Sequence, residues 1–286
     1  MDKQLIRLEI TAPEDEYNLV TGILVMMVSF GWEEESLPTG ETLFRVHGEN
    51  AALIQDIRLT IEARAPGAAC AIDTVAREDW VNAWKEFFTP VRCGSRFVVL
   101  PPWLAHGDEE DTGRDRIIIE PKSAFGTGHH ATTALCLGVL SDLLDGGRIR
   151  AGQLFLDLGT GSGVLGIGLC ENGLVGQGCD IDPIAIDNVI ENRALNGISE
   201  AAFVVELGSI ELYAGRRFDV VVANILARPL IELAPAIAAA VTGGGVLVLS
   251  GILGVQADRV EAAYRAAGLP AARRVMRGEW CALVWS

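Results

Sequence analysis

The chain has 286 residues, 50% of them hydrophobic and 21% charged, which is typical of a soluble globular protein with about two domains. Its 38 acidic and 23 basic residues give a formal net charge of -15. Such an acidic surface repels phosphate backbones, so composition argues against general nucleic-acid binding, and no direct sequence-specific contact with nucleic acid is expected. A basic partner protein would instead be attracted.

The cysteines and the apolar stretches indicate the compartment. The six cysteines form no C-x-x-C pair, which argues against a zinc cluster or a disulfide framework and favours a reducing cytoplasm. The first residues lack the basic-then-apolar order of a signal peptide. The uncharged stretch 233–257 contains Pro235 and three consecutive glycines, so we expect a helix, a turn and a buried strand rather than a membrane span. The sequence predicts a soluble, cytoplasmic protein.

Residues 1–76 are predicted to form a small α+β domain. Alternation of apolar and polar residues indicates strands, and acidic residues after Pro13 are typical of a helix start. The order β-α-β-β-α-β is that of a ferredoxin-like fold. No cluster of side chains here suggests chemistry, so we interpret this domain as a substrate-recognition domain. The expected elements are strand 4–12, helix 14–29, strands 32–36 and 43–46, helix 50–65 and strand 71–75.

Residues 77–103 are interpreted as a connecting segment rich in tryptophan. Trp80, Trp84 and Trp103 lie in it, and aromatic side chains dominate buried contact area. We expect them to pack the two domains together; the alternative is an aromatic wall facing the substrate.

Residues 104–286 are predicted to form an α/β domain. Short apolar strands alternate with helices, which indicates a mostly parallel sheet covered on both faces, that is, a Rossmann-like architecture. We expect seven strands, the last of them, near 280–285, antiparallel to the others. The strands assigned from the sequence are 154–158, 178–181, 202–206, 218–224, 245–250 and 281–286.

A glycine-rich turn follows the first of these strands. Asp157, Gly159 and Gly161 belong to the run LDLGTGSGVLG, in which glycine allows tight turns and close approach of a ligand. In open α/β sheets this turn is where nucleotide-like ligands bind. The spacing G-x-G-x-x-G followed by Asp180 and Asp182 also fits a dinucleotide.

Asp157 favours S-adenosylmethionine over a dinucleotide. A carboxylate at this strand end would repel a pyrophosphate and attract the ammonium or sulfonium group of S-adenosylmethionine. In either case Asp180, at the end of the second strand, is expected to accept hydrogen bonds from both ribose hydroxyls, with Asp182 as the second candidate.

Four segments of the chain resemble the ribosomal protein L11 methyltransferase family. They are FGTGHHATT (125–133), LDLGTGSGVLGIG (156–168), DIDPIAIDNVIENRALNG (180–197) and VVVANILARPL (220–230). The resemblance covers nearly the whole chain from Asp79 on, and the first 76 residues more loosely. It implies S-adenosylmethionine-dependent methylation of amino groups of ribosomal protein L11, free or on the large ribosomal subunit. Lysine side chains are the expected targets, and the N-terminal amine is a further candidate.

The resemblance also places binding residues. Two departures from the family pattern, Lys122-Ser123 after Pro121 and Thr160 in the glycine turn, affect only the expected flexibility of these loops. The residues that the resemblance assigns to the cofactor are Phe125, Gly126 and Thr127 in a lid, and Thr133, Gly159, Asp180 and Asn224.

Asn224 is the candidate catalytic residue. It follows an apolar strand, so its amide lies at the carboxyl edge of the sheet, where its oxygen could accept a hydrogen bond from an incoming amine. The following residues, Ile-Leu-Ala, include no aromatic ring for a flat base, which favours an aliphatic amine. The alternative is an asparagine that caps the turn.

Adjacent histidines at 129 and 130 are the only other chemical candidates. Neighbouring loop side chains need not converge and no third ligand has metal-site spacing, so no metal is expected; a histidine packing beside the cofactor is favoured.

Three alternatives to this function remain at the level of sequence. They are a lysine methyltransferase of the same fold acting on another protein, an NAD-dependent oxidoreductase, and a non-catalytic ribosome-assembly binding module.

Overall fold

The computed structural model describes residues 5–28, 32–48, 50–75, 89–105, 113–121 and 130–286. The chain divides into two compact units, residues 1–88 and 89–286.

The first unit contains a four-stranded antiparallel sheet and two helices. Apolar residues that alternate along the central strand, Leu8 and Ile10, are fully buried, as are Ile57 and Ile61 of the second helix. The strand order is β2-β3-β1-β4, so the predicted ferredoxin-like topology is confirmed. The elements are β1 Leu5–Ala12, α1 Tyr17–Met27, β2 Glu33–Ser36, β3 Thr42–Gly48, α2 Ala51–Arg64 and β4 Ala69–Val75.

The second unit begins with a small sheet, and two of its three strands lie in the segment 77–103 that we interpreted as a connection. Its strands are β5 Val91–Cys93, β6 Phe97–Leu100 and β7 Asp115–Ile118, in the order β5-β6-β7. All four residues of β6 are buried, so the run FVVL contributes side chains to the hydrophobic core of this unit. Trp103 lies in one 3-10 turn after β6, whereas Trp80 and Trp84 fall outside the described residues.

A seven-stranded sheet forms the centre of this unit. Its strands have the order β10-β9-β8-β11-β12-β14-β13. The neighbours from β10 to β12 are parallel and β14 is antiparallel to β12, which confirms the predicted direction of the last strand. The strands are β8 Leu154–Leu158, β9 Val175–Asp180, β10 Phe203–Leu207, β11 Phe218–Asn224, β12 Val241–Leu253, β13 Arg273–Arg277 and β14 Trp280–Trp285.

Both faces of this sheet are covered by helices. Alternate residues of one strand enter different cores, because side chains along a strand point to opposite faces. Val220 and Val222 pack with helix residues before 190, whereas Val221 and Ala223 pack with helix residues after 226. The helices are α3 Ala131–Asp145, α4 Val164–Glu171, α5 Pro183–Leu195, α6 Ala227–Glu232, α7 Ala234–Ala240 and α8 Ala257–Ala266.

The uncharged stretch 233–257 forms α7 and the long strand β12. Within the described ranges, no helix is both long and apolar enough to cross a membrane.

Candidate active site

Three neighbouring parallel strands bring the predicted polar residues to one edge of the sheet. Asp157 of β8 is in register with Gly178 of β9 and Val222 of β11. Asp180 and Asn224 each lie two residues further along their strands, so both reach the carboxyl edge beside the turn that follows β8. In open α/β sheets this edge is the usual position of a ligand.

The glycine turn between β8 and α4 is a tightly bent cradle. Gly159, Gly161 and Gly163 have φ values of 71°, 56° and 83°, which residues other than glycine rarely adopt. A Cβ on Gly159 would lie 2.3 Å from Cγ2 of Ile225, the residue after β11. The N–H groups of Gly159 and Thr160 both donate to the carbonyl of Cys179, at 2.9 and 3.0 Å. The turn is therefore bound to β9 and packs closely against the end of β11.

Asp157 braces this turn from inside the sheet. Its side chain is 1% exposed, and Oδ2 accepts hydrogen bonds from the Thr160 hydroxyl at 2.8 Å and the Gly166 N–H at 3.1 Å. Oδ1 is buried and has no hydrogen-bond partner in the described part of the chain. Burial raises the pKa of this carboxyl to about 6, and the nearby Asp180 charge acts in the same direction. A cationic ligand group would relieve that cost.

The raised pKa of Asp157 predicts a pH-dependent stability difference between the protein and its Asp157→Asn variant. The folded protein binds the proton of the Asp157 carboxyl more tightly than the unfolded chain does. The contribution of this carboxyl to the free energy of unfolding is therefore present at low pH and is lost as pH rises through about 6. One pKa unit corresponds to about 1.4 kcal/mol. We expect the free energy of unfolding of the ligand-free protein, minus that of the variant, to fall by about 1 kcal/mol between pH 5 and pH 8.

Urea unfolding of both proteins at the two pH values measures this difference, because contributions from all other groups cancel in the subtraction. A difference that stays constant with pH would mean that the carboxyl titrates normally.

Asp180 holds the middle of the glycine turn. Its Oδ2 accepts from the Gly161 N–H at 2.9 Å and its Oδ1 from the Asp182 N–H at 3.0 Å. A carboxylate has about four acceptor positions, so both oxygens retain capacity for ribose hydroxyls. Asp182 is exposed, and its Oδ1 caps α5 by accepting from the Ile184 N–H at 2.9 Å. Its helix-capping bond favours Asp180 as the ribose acceptor.

Asn224 is bonded through one end of its amide only. Nδ2 donates to the Thr133 hydroxyl at 3.3 Å, which joins the end of β11 to the first turn of α3. Oδ1 is buried and has no partner within the described ranges. The backbone after Asn224 is closely packed, since a Cβ on Gly251, whose φ is 80°, would lie 2.3 Å from the Ile225 carbonyl oxygen. The site thus holds a fixed acceptor at the sheet edge.

The proposed lid residues Phe125, Gly126 and Thr127 lie outside the described residues, as does His129. His130 caps α3, its Nδ1 lying 2.8 Å from the Thr132 hydroxyl, and its ring meets the Trp280 ring edge-on at 5.0 Å. No metal-binding group of three or more His, Cys, Asp or Glu side chains occurs in the part of the chain that the structure describes.

Sequence reasoning missed Asn192 and Asn196, whose side chains connect α5 to two other parts of this unit. The available signal was the recurrence of asparagine four residues apart at 188, 192 and 196, which places their amides on one side of a helix and its C-terminal cap.

The fold and this edge together define a class of protein. The sheet is parallel except for one strand, and a glycine cradle follows β8. Asp180 ends β9, and the Oδ1 of Asn224 is a buried acceptor without a partner among the described residues. This arrangement fits S-adenosylmethionine. These features define the class of S-adenosylmethionine-dependent methyltransferases, which is the class that the sequence predicts.

Comparisons with known proteins identify the family. Residues 27–286 match the model of ribosomal protein L11 methyltransferase (PrmA). The ribosomal protein L11 methyltransferase of Pelotomaculum thermopropionicum is 38% identical over 253 residues, which cover 87% of this chain and 79% of that protein. The Pseudomonas aeruginosa protein of the same name is 40% identical over 225 residues, covering 78% and 72%. The chain therefore belongs to the ribosomal protein L11 methyltransferase family.

The crystal structure of ribosomal protein L11 methylase from Lactobacillus delbrueckii subsp. bulgaricus is also similar to this chain. The TM-score is 0.61 at 25% sequence identity, and the superposition covers 69% of this chain and 97% of that one. This likeness and family membership confirm the fold class and exclude the dinucleotide alternative.

Proposed function

We propose that this methyltransferase transfers methyl groups to amino groups of ribosomal protein L11 in the cytoplasm. Lysine side chains are the main targets and the N-terminal amine is a further one, with L11 free or on the large ribosomal subunit. Family membership supports L11 as the substrate, and the net charge of -15 suits a basic partner. The observation that carries the choice of an amine is the buried Oδ1 of Asn224, an acceptor without a hydrogen-bond partner among the described residues, which an amine N–H would satisfy.

In this proposal, the cofactor is held by residues from five parts of the chain: β8, the glycine turn, β9, α3 and the lid segment. Asp180 accepts bonds from the ribose, the backbone of Gly159 and Gly161 lies against the methionine part, and the Oδ1 of Asp157 faces the positive charge. Thr133 and the lid residues 125–127 complete the site. When bound, S-adenosylmethionine supplies an electrophilic methyl group on a sulfonium.

Asn224 orients the incoming amine. Because Nδ2 is bonded to Thr133, the amide plane is fixed and Oδ1 accepts an N–H of the neutral amine, leaving the lone pair free to point elsewhere. A free lysine has a pKa of about 10.4 and is protonated at neutral pH. Desolvation in a closed site disfavours the ammonium form, so the proton leaves to water before the amine enters, and no dedicated base is required. The residues of the chain position the amine and exclude solvent.

Asn224→Ala is expected to slow methylation of L11 by about a hundredfold at saturating cofactor, because the amine loses the acceptor that aims it. The Thr133→Val variant is the matched comparison: it keeps Asn224 but removes the bond at 3.3 Å that orients it, so a smaller loss is expected. Single-turnover rates measure both. An Asn224→Ala variant with the full rate would show that the asparagine only caps the turn.

Mass spectrometry of purified L11, incubated with the enzyme and S-adenosylmethionine, tests the function directly. Methyl additions on lysine residues or on the N-terminus are expected. Labelling of a different protein in a lysate, with L11 unmodified, would assign another substrate. Binding of L11 without methyl transfer would indicate a non-catalytic assembly module.

A further inference from the structure

The helix α5 places a buried amide between two parts of the second unit. Asn192 is 1% exposed and uses both ends of its side chain. Its Oδ1 accepts from the Glu120 N–H at 2.9 Å, and its Nδ2 donates to the Ser162 carbonyl at 2.8 Å. The two partners are 42 residues apart in the sequence, so this side chain is a long-range connection.

At Glu120, Asn192 binds the extended segment that follows β7. Strand β7 is the edge strand of the three-stranded sheet, and it ends at Ile118. Asn196, which follows α5, accepts from the Ile118 N–H at 2.8 Å and donates to the Ile118 carbonyl at 2.7 Å. Asn196 also donates to the Asn192 carbonyl at 2.7 Å. Asn192 and Asn196 therefore bind backbone groups of Ile118 and Glu120 at the end of β7 and just after it.

The Ser162 side of the connection is the glycine turn itself. Ser162 lies between Gly161, whose N–H is bound by Asp180, and Gly163. A Cβ on Gly163 would lie 2.3 Å from Cγ2 of Val189, so the turn rests directly on α5. Asp180 accepts from the Gly161 N–H and Asn192 donates to the Ser162 carbonyl, so two side chains from later in the chain hold the backbone of the turn. The shape of the cradle depends on both.

We propose that Asn192 is a positioning residue for S-adenosylmethionine. Its amide sets the glycine turn, at Ser162, against the segment that follows β7, at Glu120, and cofactor affinity depends on this link. Its side-chain hydrogen bonds go to backbone groups of Glu120 and Ser162, so Asn192 acts through the backbone that it holds.

The Asn192→Ala variant tests the proposal against a matched control, Asn172→Ala. Asn172 joins the other end of β7 to α4: its Nδ2 donates to the Asp115 carboxylate and the Gly168 carbonyl, both at 3.0 Å. These bonds do not involve the glycine turn. Both variants are expected to melt at a lower temperature. Only Asn192→Ala is expected to weaken S-adenosylhomocysteine binding, by about tenfold, as measured by calorimetry on the full chain.

A second variant and a measurement on the unchanged protein keep the test decisive. Asn192→Asp retains the volume and the acceptor for Glu120 but loses the donor to Ser162, and the same loss of affinity is expected. In the wild-type protein, coupling is reciprocal, so S-adenosylhomocysteine must slow hydrogen exchange at the Glu120 amide. Unchanged affinity in a folded Asn192 variant, an equal loss in Asn172→Ala, or unchanged exchange at Glu120 would overturn the proposal. No protein substrate enters these measurements, so they do not depend on L11.

Discussion

Asp180→Ala is expected to lower the affinity for S-adenosylhomocysteine at least tenfold while leaving the protein folded. The substitution removes the proposed acceptor of two ribose hydroxyl bonds, and bonds to a charged group contribute about 1.5–3 kcal/mol each. It also releases the Gly161 N–H, which Asp180 holds at 2.9 Å, so the cradle loses one of its restraints. Since about 1.4 kcal/mol corresponds to a factor of ten, loss of the ribose bonds alone reaches the expected loss.

Asp182→Ala is the matched control for this prediction. Asp182 is two residues away and caps α5, so its loss is expected to cost about 1 kcal/mol of stability through the helix start. Cofactor affinity should change little. Isothermal titration calorimetry and thermal unfolding of both variants separate the two roles. If Asp182→Ala lost affinity and Asp180→Ala did not, the ribose contact would have to be reassigned to Asp182.

Removal of the first unit is expected to abolish most methylation of intact L11 while cofactor binding persists. A shortened chain that starts at Thr89 keeps both sheets of the second unit and its two buried cores. The proposed binding residues all lie beyond residue 120. The first unit is our proposed recognition domain, and loss of positioning alone can slow a reaction by about a hundredfold.

The comparison requires two substrates. On intact L11 the shortened chain should be slower by about a hundredfold. On a short lysine peptide, which is too small to engage a separate docking surface, the two proteins should have equal rates. Affinity for S-adenosylhomocysteine provides the control for folding of the shortened chain. Equal rates on intact L11 would place recognition in residues 89–286.

Most strands of the large sheet are predictable because they contain a short apolar run. The run 218–224 has the same limits in the sequence interpretation and in the structure. The strand β13 was missed because its sequence, RRVMR, is mostly charged and it lies exposed at the sheet edge. Likewise, β6 was missed because its four residues are all apolar and buried, so the short run FVVL shows no strand alternation within the segment interpreted as a connection.

Sequence spacing predicts the positions of the acidic residues of the site but not their burial or their hydrogen-bond partners. Spacing placed Asp157 and Asp180 at strand ends, but it could not show that Asp157 is buried and already holds Thr160 and Gly166. That role depends on the path of the turn after the strand. The function of Asn192 was equally hidden, because its partners are backbone groups of distant residues, which carry no side-chain signature.

The close packing of Gly251 against Ile225 has a consequence for how this site can evolve. Any side chain at position 251 would collide with the Ile225 carbonyl oxygen and shift the adjoining Asn224. Substitutions of Gly251 are therefore disfavoured. Leu226, only two residues beyond Asn224, is 73% exposed and carries no such restriction. Substitutions at Leu226 can therefore change the exposed surface next to this edge of the sheet, whereas position 251 stays restricted to glycine.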